Sequence, residues 1–489
     1  MLPALLAANN ITLKYSNNPF LVNQDVLNFA PRVGLAYRLT NRATVRAGYG
    51  IFYGGLESTG YNPNLGVNAP FVFQSNFIAN APSGCITGNC PTDGISLATG
   101  FTNEIQAGLL NALATPSLRG VQPNVKTSYS ENYNLAVEFG ITTNTVATLS
   151  YVGSQAHHLI VFTNPNAPLA LLSNGSNTLP EQPLPGFGGA IFSSYAGASN
   201  YNSLQAKLEH RFAKGLTFLA TYTYSHSLDD ATAPLGANGD NGYPNTNIQP
   251  IPEQYSNSPF DTRQRFTFNG NYELPFGRGR KFANHSKGLD YLVGGWSSSL
   301  TFAAQTGNPF SVFANSSFVG AAGTSGFFYA TLVGNPFAAG GTPPASNPGI
   351  TCPTSVRNTT NWYNPCAFGN PTPGTSTNIP AQGVSGSAAL AFLGGRRDSV
   401  YGPGYERINM SFFKDFSIRE KMKLQFRADI FNLFNTPSYA NPNSNSAGGG
   451  LQGGIDDNSS LGGQITLPRS FQAFTPDARF VQFALKFIF

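Results

Sequence analysis

An all-β fold is predicted for this 489-residue chain: a transmembrane, antiparallel, up-and-down β-barrel, present in part, with about 11–12 strands. Three observations predict it. Apolar residues alternate with small polar ones over stretches near the 9–11 residues that a tilted strand needs to cross a bilayer. Short turns and long polar connections take turns in joining those stretches. Charged residues make up only 10% of the chain, against about 25% in ordinary globular proteins, while aromatics reach 13%. No run of about 18 apolar residues occurs, so the sequence encodes no membrane-spanning helix.

The strands follow in order. APRVGLAYRL puts Val33, Leu35, Tyr37 and Leu39 on one face, and after TNRA the stretch TVRAGYGIFY repeats the pattern with Val45, Ala47, Tyr49, Ile51 and Tyr53. This is period-2 alternation around a hairpin turn. A long loop from Gly54 to about Lys126 precedes NYNLAVEF and VATLSYVG, joined by ITTN. SLQAKLEHRF and LTFLATYTY flank AKG. RFTFNGNYEL leads through the basic connector PFGRGRK to GWSSSLTFAAQ. The longest loop, Thr306 to Gly404, precedes RINMSFFKDF and KLQFRADIFNLFN, which flank SIREKM. The chain finishes on ARFVQFALKFIF, with Val481, Phe483, Leu485, Phe487 and Phe489 on one face. A further strand is expected at NITLKY.

Strict alternation of short and long connections sends all short turns to one end of the sheet, as in outer-membrane barrels. Tyr37, Tyr53, Tyr151, Tyr224, Tyr272 and Trp296 stand near strand ends, as interfacial girdles do. A soluble sandwich also alternates, because it buries one face against a second sheet. Its outer faces would be charged, however, whereas these carry Asn, Thr, Ser and Gly. With the apolar residues facing lipid, Arg46, Asn134, Glu138, Lys207, Arg265, Asn269, Asn271, Glu273, Gln425, Arg427 and Asp429 are expected to face the lumen. There they would line a solute path, contact a plug, or simply cross-link the wall.

The formal charge of +5 is spread out, which excludes the clustered basic footprint of a nucleic-acid binder. Four cysteines fall as Cys85/Cys90 and Cys352/Cys366, each pair inside a polar loop. Two local disulfides in an oxidising compartment are expected, with cysteine-ligated zinc as the competing reading. The start, MLPALLAANN, lacks the basic and apolar regions of a signal peptide, and the expectation is that the true beginning is missing.

YNSLQAKLEHRFAKGLTFLATYTYSHSLDD, PFDTRQRFTFNGNYELPFGRGRKF, GGWSSSLTFAAQTGNPFSV and KLQFRADIFNLFNTP, taken in this order, resemble the barrel of Oar-like TonB-dependent transporters of acidobacterial type. FALKFIF is similar to the closing strand, ending in Phe, that outer-membrane assembly machinery reads, which implies that role for Phe483, Leu485, Phe487 and Phe489. The resemblance runs from about Arg32 to Phe489 and implies the C-terminal part of a barrel of about 22 strands. No signal peptide, TonB box or plug is read in the sequence, so residues 1–489 are expected to be one barrel-type domain, truncated and inactive alone. The implied location is a Gram-negative outer membrane. The implied partners are outer-membrane lipid, the assembly machinery, an unidentified large solute, and the TonB complex through a missing N-terminal part. A surface or adhesion protein that binds a partner through its long loops is the alternative.

No enzyme and no cofactor are expected. Ser225, His226 and Asp229 have triad chemistry, yet they share one strand end, and triads are assembled from distant segments. His157 and His158 could hold a metal, but neighbouring strand residues point to opposite faces and no further ligand is close by. Asp240, Asp456 and Asp457 are too few for a calcium loop. No phosphate-binding, GxSxG or paired CxxC pattern occurs.

Overall fold

The computed structural model describes residues 6–8, 10, 23, 25–54, 118–166, 183–184, 187, 190–230, 255–277, 279–283, 287–312, 330–345, 348–369, 372–373, 390–391, 396–419, 422–442, 463–465, 469 and 478–489. Eleven long strands carry the architecture: β1 Arg32–Arg38, β2 Ala43–Tyr53, β3 Tyr129–Thr142, β4 Thr145–Thr163, β5 Ala190–Ala213, β6 Leu216–Asp229, β7 Gln264–Glu273, β8 Trp296–Gln305, β9 Tyr405–Arg419, β10 Met422–Phe431 and β11 Phe480–Ile488. Each is hydrogen-bonded to its sequence neighbour, and the path runs β1 to β11 without a crossover. All ten pairings are antiparallel. The expected strand at NITLKY lies outside the described residues.

Local chemistry sets the turns. Between β1 and β2 the Thr40 hydroxyl accepts the backbone N–H groups of Arg42 and Ala43 at 3.1 and 3.0 Å. Between β5 and β6, Lys214 (φ 53°) and Gly215 (φ 81°) both take the left-handed conformation that reverses a twisted hairpin.

Several boundaries differ from the sequence expectation. β4 continues past Gly153 to Thr163, and β5 begins at Ala190 rather than Ser203, so the sheet climbs beyond the other strands at the long-connection end. A bulge between His157 and Leu159 interrupts their pairing and breaks the simple alternation there. Leu118–Val121, expected as loop, pairs in parallel with the start of β5. Between β9 and β10 the six-residue turn SIREKM shrinks, because Ile418 continues the apolar alternation and strand structure runs on to Arg419. β10 stops at Phe431, short of the expected Asn435. There Asn432 (φ 49°) turns the chain, and its side chain bonds both N and O of Thr436 at 3.1 and 3.0 Å.

The segment between β8 and β9 is partly folded. Phe310, Val312, Ala330, Tyr363, Ala367, Phe368 and Val400 form a buried cluster, with Phe337 and Trp362 packed against it. A disulfide joins Cys352 to Cys366, whose Cα atoms lie 5.5 Å apart. Cys85 and Cys90 lie outside the described residues, as do Asp240, Asp456 and Asp457.

Candidate functional site

Directly paired residues in an antiparallel sheet share a face, so the register assigns every strand position to one side of the wall. On one side run Val33, Leu35, Val45, Ala47, Leu135, Val137, Leu149, Leu204, Ala220, Phe268, Phe302, Met410, Phe426, Phe483 and Leu485. This continuous apolar face is not covered by a second sheet among the described residues. Leu35 is 60% exposed, Leu149 52% and Leu485 70%. A soluble sandwich would bury these residues at about 25 cal/mol per Å².

The opposite side carries Arg46, Asn134, Glu138, Lys207, Arg265, Asn269, Asn271, Glu273, Gln425, Arg427 and Asp429, all eleven together. Many of them pair along the wall. Arg46 meets Glu138 at 3.3 Å, Lys207 meets Glu209 at 3.4 Å, and Arg427 holds Asp429 at 2.7 Å. The Gln425 amide donates to Asp415 at 2.8 Å, and Ser411 donates to Asp429. Exposed pairs of this kind add little stability, about 0–1 kcal/mol each. They do pair part of the charge on a polar, hydrated surface.

The apolar face ends in a polar-tipped aromatic belt towards the long connections. Tyr49 donates to Glu131 at 2.9 Å, Tyr133 donates to the Asn202 carbonyl oxygen at 3.2 Å, and Tyr151 reaches Asn202 as well. Amphipathic rings of this kind suit a membrane interface.

Beyond the belt, the long connections gather into a polar cluster. Arg397 of the β8–β9 segment is 3% exposed and forms an ion pair with Asp229 at the end of β6. Asp261 accepts the Ser227 N–H at 2.8 Å and the Tyr401 hydroxyl at 2.9 Å. Burial, and then the bond to Asp261, push the Tyr401 hydroxyl pKa up. Burial raises Asp230, although its carboxylate accepts the Ala198 N–H at 2.6 Å. Arg469 bonds the Pro403 carbonyl at 3.0 Å and stacks 5.3 Å above Tyr405, and burial lowers its pKa. Gly307 lets the two ends of this segment touch, since a Cβ there would run into the Gly402 carbonyl. The sequence reading missed this cluster. Its signal was GGRRDS, a basic pair followed by an acid inside a loop whose only other charged residue is Arg357.

The triad residues are used otherwise. The Ser225 hydroxyl donates to the Thr262 carbonyl at 2.7 Å, His226 contacts Asn257 at 3.0 Å, and Asp229 holds Arg397. The expected opposition of the two histidines is corrected by the bulge: the rings of His157 and His158 both lie near Tyr129, at 5.0 and 5.8 Å. His157 lies 3.9 Å from Glu131. Among the described residues no group of three or more His, Cys, Asp or Glu side chains is gathered as metal ligands would be.

A wall with one uncovered apolar face, one self-paired polar face and polar-tipped aromatics at the border is an outer-membrane β-barrel wall. The family model described as outer membrane beta barrel domain matches residues 4–482, and the chain belongs to that family. It is therefore a protein of the Gram-negative outer membrane. A comparison with curated proteins finds no match. Among solved structures, the chain is similar to the ferripyoverdine receptor of the outer membrane of Pseudomonas aeruginosa, at 10% identity and TM-score 0.40, covering 94% of this chain and 33% of that one. It is similar to the outer membrane transporter YddB from Escherichia coli, at 10% identity and TM-score 0.41, covering 89% and 40%. The ferric-catecholate import receptor Fiu from E. coli gives 10% identity and TM-score 0.37, covering 93% and 34%. The chain thus spans well under half the length of these proteins.

Proposed function

We propose that the chain forms wall of a TonB-dependent outer-membrane receptor that takes up a large solute by energy-coupled transport, its apolar face against lipid and its polar face against the lumen. The observation that carries this reading is the segregation of all eleven polar candidates to one face while the other stays apolar and uncovered. A self-paired polar lining offers a hydrated path or a plug-contacting surface. The Oar-like order of sequence stretches supports the energy coupling. On this reading the chain acts together with a plug and TonB-contacting part and is inactive alone. The folded cluster at the long-connection end is the first surface the solute meets.

That cluster also supports a second reading, a surface or adhesion protein. A loop segment with its own buried core and disulfide is a ready platform for a macromolecular partner. Cells with the gene intact or deleted separate the two. Solutes lost from the growth medium are followed by mass spectrometry, with and without a protonophore. Uptake of a large solute that needs both the gene and the proton motive force is the expected result. Uptake that ignores the protonophore sinks the transport reading and leaves adhesion.

A further inference from the structure

We infer that the connector between β7 and β8 is a lipid anchor, which seats the short-turn end of the wall in the headgroup layer of the adjoining phospholipid leaflet. The inference rests on the lipid-facing reading of the apolar face. The connector holds a short helix, Lys287–Val293. Its last carbonyls lack intrahelical partners, as at any helix end. Two side chains from the apolar face of the wall supply them. Lys414 stands between Phe412 and Phe416 on that face, in register with Trp296 and Phe426, and is 4% exposed. Its ammonium donates to the carbonyls of Tyr291 at 2.6 Å and Gly294 at 2.5 Å. The Trp296 indole donates to the Leu292 carbonyl at 2.9 Å.

This double tether fixes the helix on the apolar side, where the Tyr291 ring lies 5.6 Å from Phe416. It leaves Tyr291 65% and Leu292 71% exposed. Beside them, Phe276 and Phe282 pack at 5.8 Å and are 40% and 48% exposed, with the Lys281 ammonium 5.4 Å from the Phe282 ring. Four large apolar side chains at one end of the wall would be costly in water. In the glycerol and headgroup layer, rings, short aliphatic groups and an ammonium able to meet phosphate are all favoured. Through Tyr291 against Phe416 the patch adjoins the apolar face of the wall, so phospholipid is the occupant that fits, and a periplasmic protein is not required.

The chain has two tryptophans, one of them Trp296. With Trp362→Phe, Trp296 becomes the sole reporter, and adding Leu292→Trp places a second on the exposed side of the helix. Purified protein is reconstituted in phosphatidylcholine vesicles brominated near the carbonyl end or near the methyl end of the acyl chains. The expected result is that the added tryptophan loses emission most strongly to bromine near the carbonyl end and resists aqueous iodide. If Trp296 is quenched by brominated lipid while the added tryptophan yields only to iodide, the helix hangs in water and the anchor is overturned, with the apolar face still facing lipid. If neither is quenched, the lipid-facing reading itself fails and the anchor falls with it. Tyr291→Trp repeats the measurement one residue earlier should Leu292→Trp disturb assembly.

Discussion

Phe483 and Gln482 are neighbours on β11, yet the register sends them to opposite sides of the wall. Phe483 pairs with Ala428 on the apolar face, stacks 6.2 Å from Phe426 and is 69% exposed; Gln482 pairs with Asp429 on the polar face. An arginine at mid-bilayer costs about 2–4 kcal/mol, whereas the same residue in a hydrated lumen costs far less. Phe483→Arg is therefore expected to destabilise the folded protein by about that amount in a denaturant titration in vesicles, and Gln482→Arg to be nearly silent. Equal losses would invert or abolish the assignment of faces. The closing residues Leu485, Phe487 and Phe489 continue the Phe483 face, and so the row that resembles an assembly signal coincides with one uncovered edge of the apolar surface. At the residue scale the sequence was legible wherever alternation was strict. Lys414 shows where a signal was available and unused: FFKDF puts a charge between two phenylalanines of the apolar face, which calls for a partner, and the helix carbonyls are that partner.

At the scale of elements, hairpins with a short turn were readable because period-2 alternation and turn chemistry agree, as in β1–β2 and β5–β6. The upper halves of β4 and β5 were not. Beyond Gly153 β4 reads SQAHH and then an unbroken apolar LIVF, and before Ser203 β5 reads AIFSSYAGASNY, so neither stretch keeps the strict apolar–polar alternation that marks a strand. The long β8–β9 segment was read as loop because its order comes from contacts far apart in sequence. Arg397 and Asp229 are 168 residues apart, and Trp362 bonds the Tyr401 carbonyl at 2.8 Å from across the cluster. Removing one partner of a buried ion pair costs about 3–5 kcal/mol, because the other charge stays buried without it. Arg397→Met is thus expected to loosen the segment locally and leave the wall intact. Protease cleavage within 306–404 would rise steeply while the strands stay resistant. The paired change Arg397→Leu with Asp229→Leu should restore much of that resistance, since both members of the buried ion pair are then gone. Cleavage of the strands in the single variant would show that the pair holds the wall rather than the segment.

The whole molecule has two unlike ends. Five connections are short or moderate, the longest being the helix-bearing one after β7, and five are long. Antiparallel order places each group at its own end of the wall. An outer-membrane barrel inserted by its assembly machinery leaves its long connections outside and its short turns in the periplasm. On the proposed reading, that decides which end would meet the solute or partner, and which leaflet the Lys287–Val293 helix would touch. Thr143 in the turn between β3 and β4, and Thr354 in the β8–β9 segment near Cys352, are both exposed, so either can carry a cysteine without disturbing the wall. In a background with Cys85→Ser and Cys90→Ser, and with Cys352 and Cys366 joined, the introduced thiol is the reactive one. Intact cells treated with a membrane-impermeant maleimide are expected to label Thr354→Cys and to spare Thr143→Cys until the outer membrane is broken. The reverse pattern would turn the wall over, moving the folded cluster into the periplasm and ending its role as a reception site. Equal labelling of both in intact cells would mean that the wall is not spanning a sealed membrane, and the division of labour between its two faces would lose its physical cause.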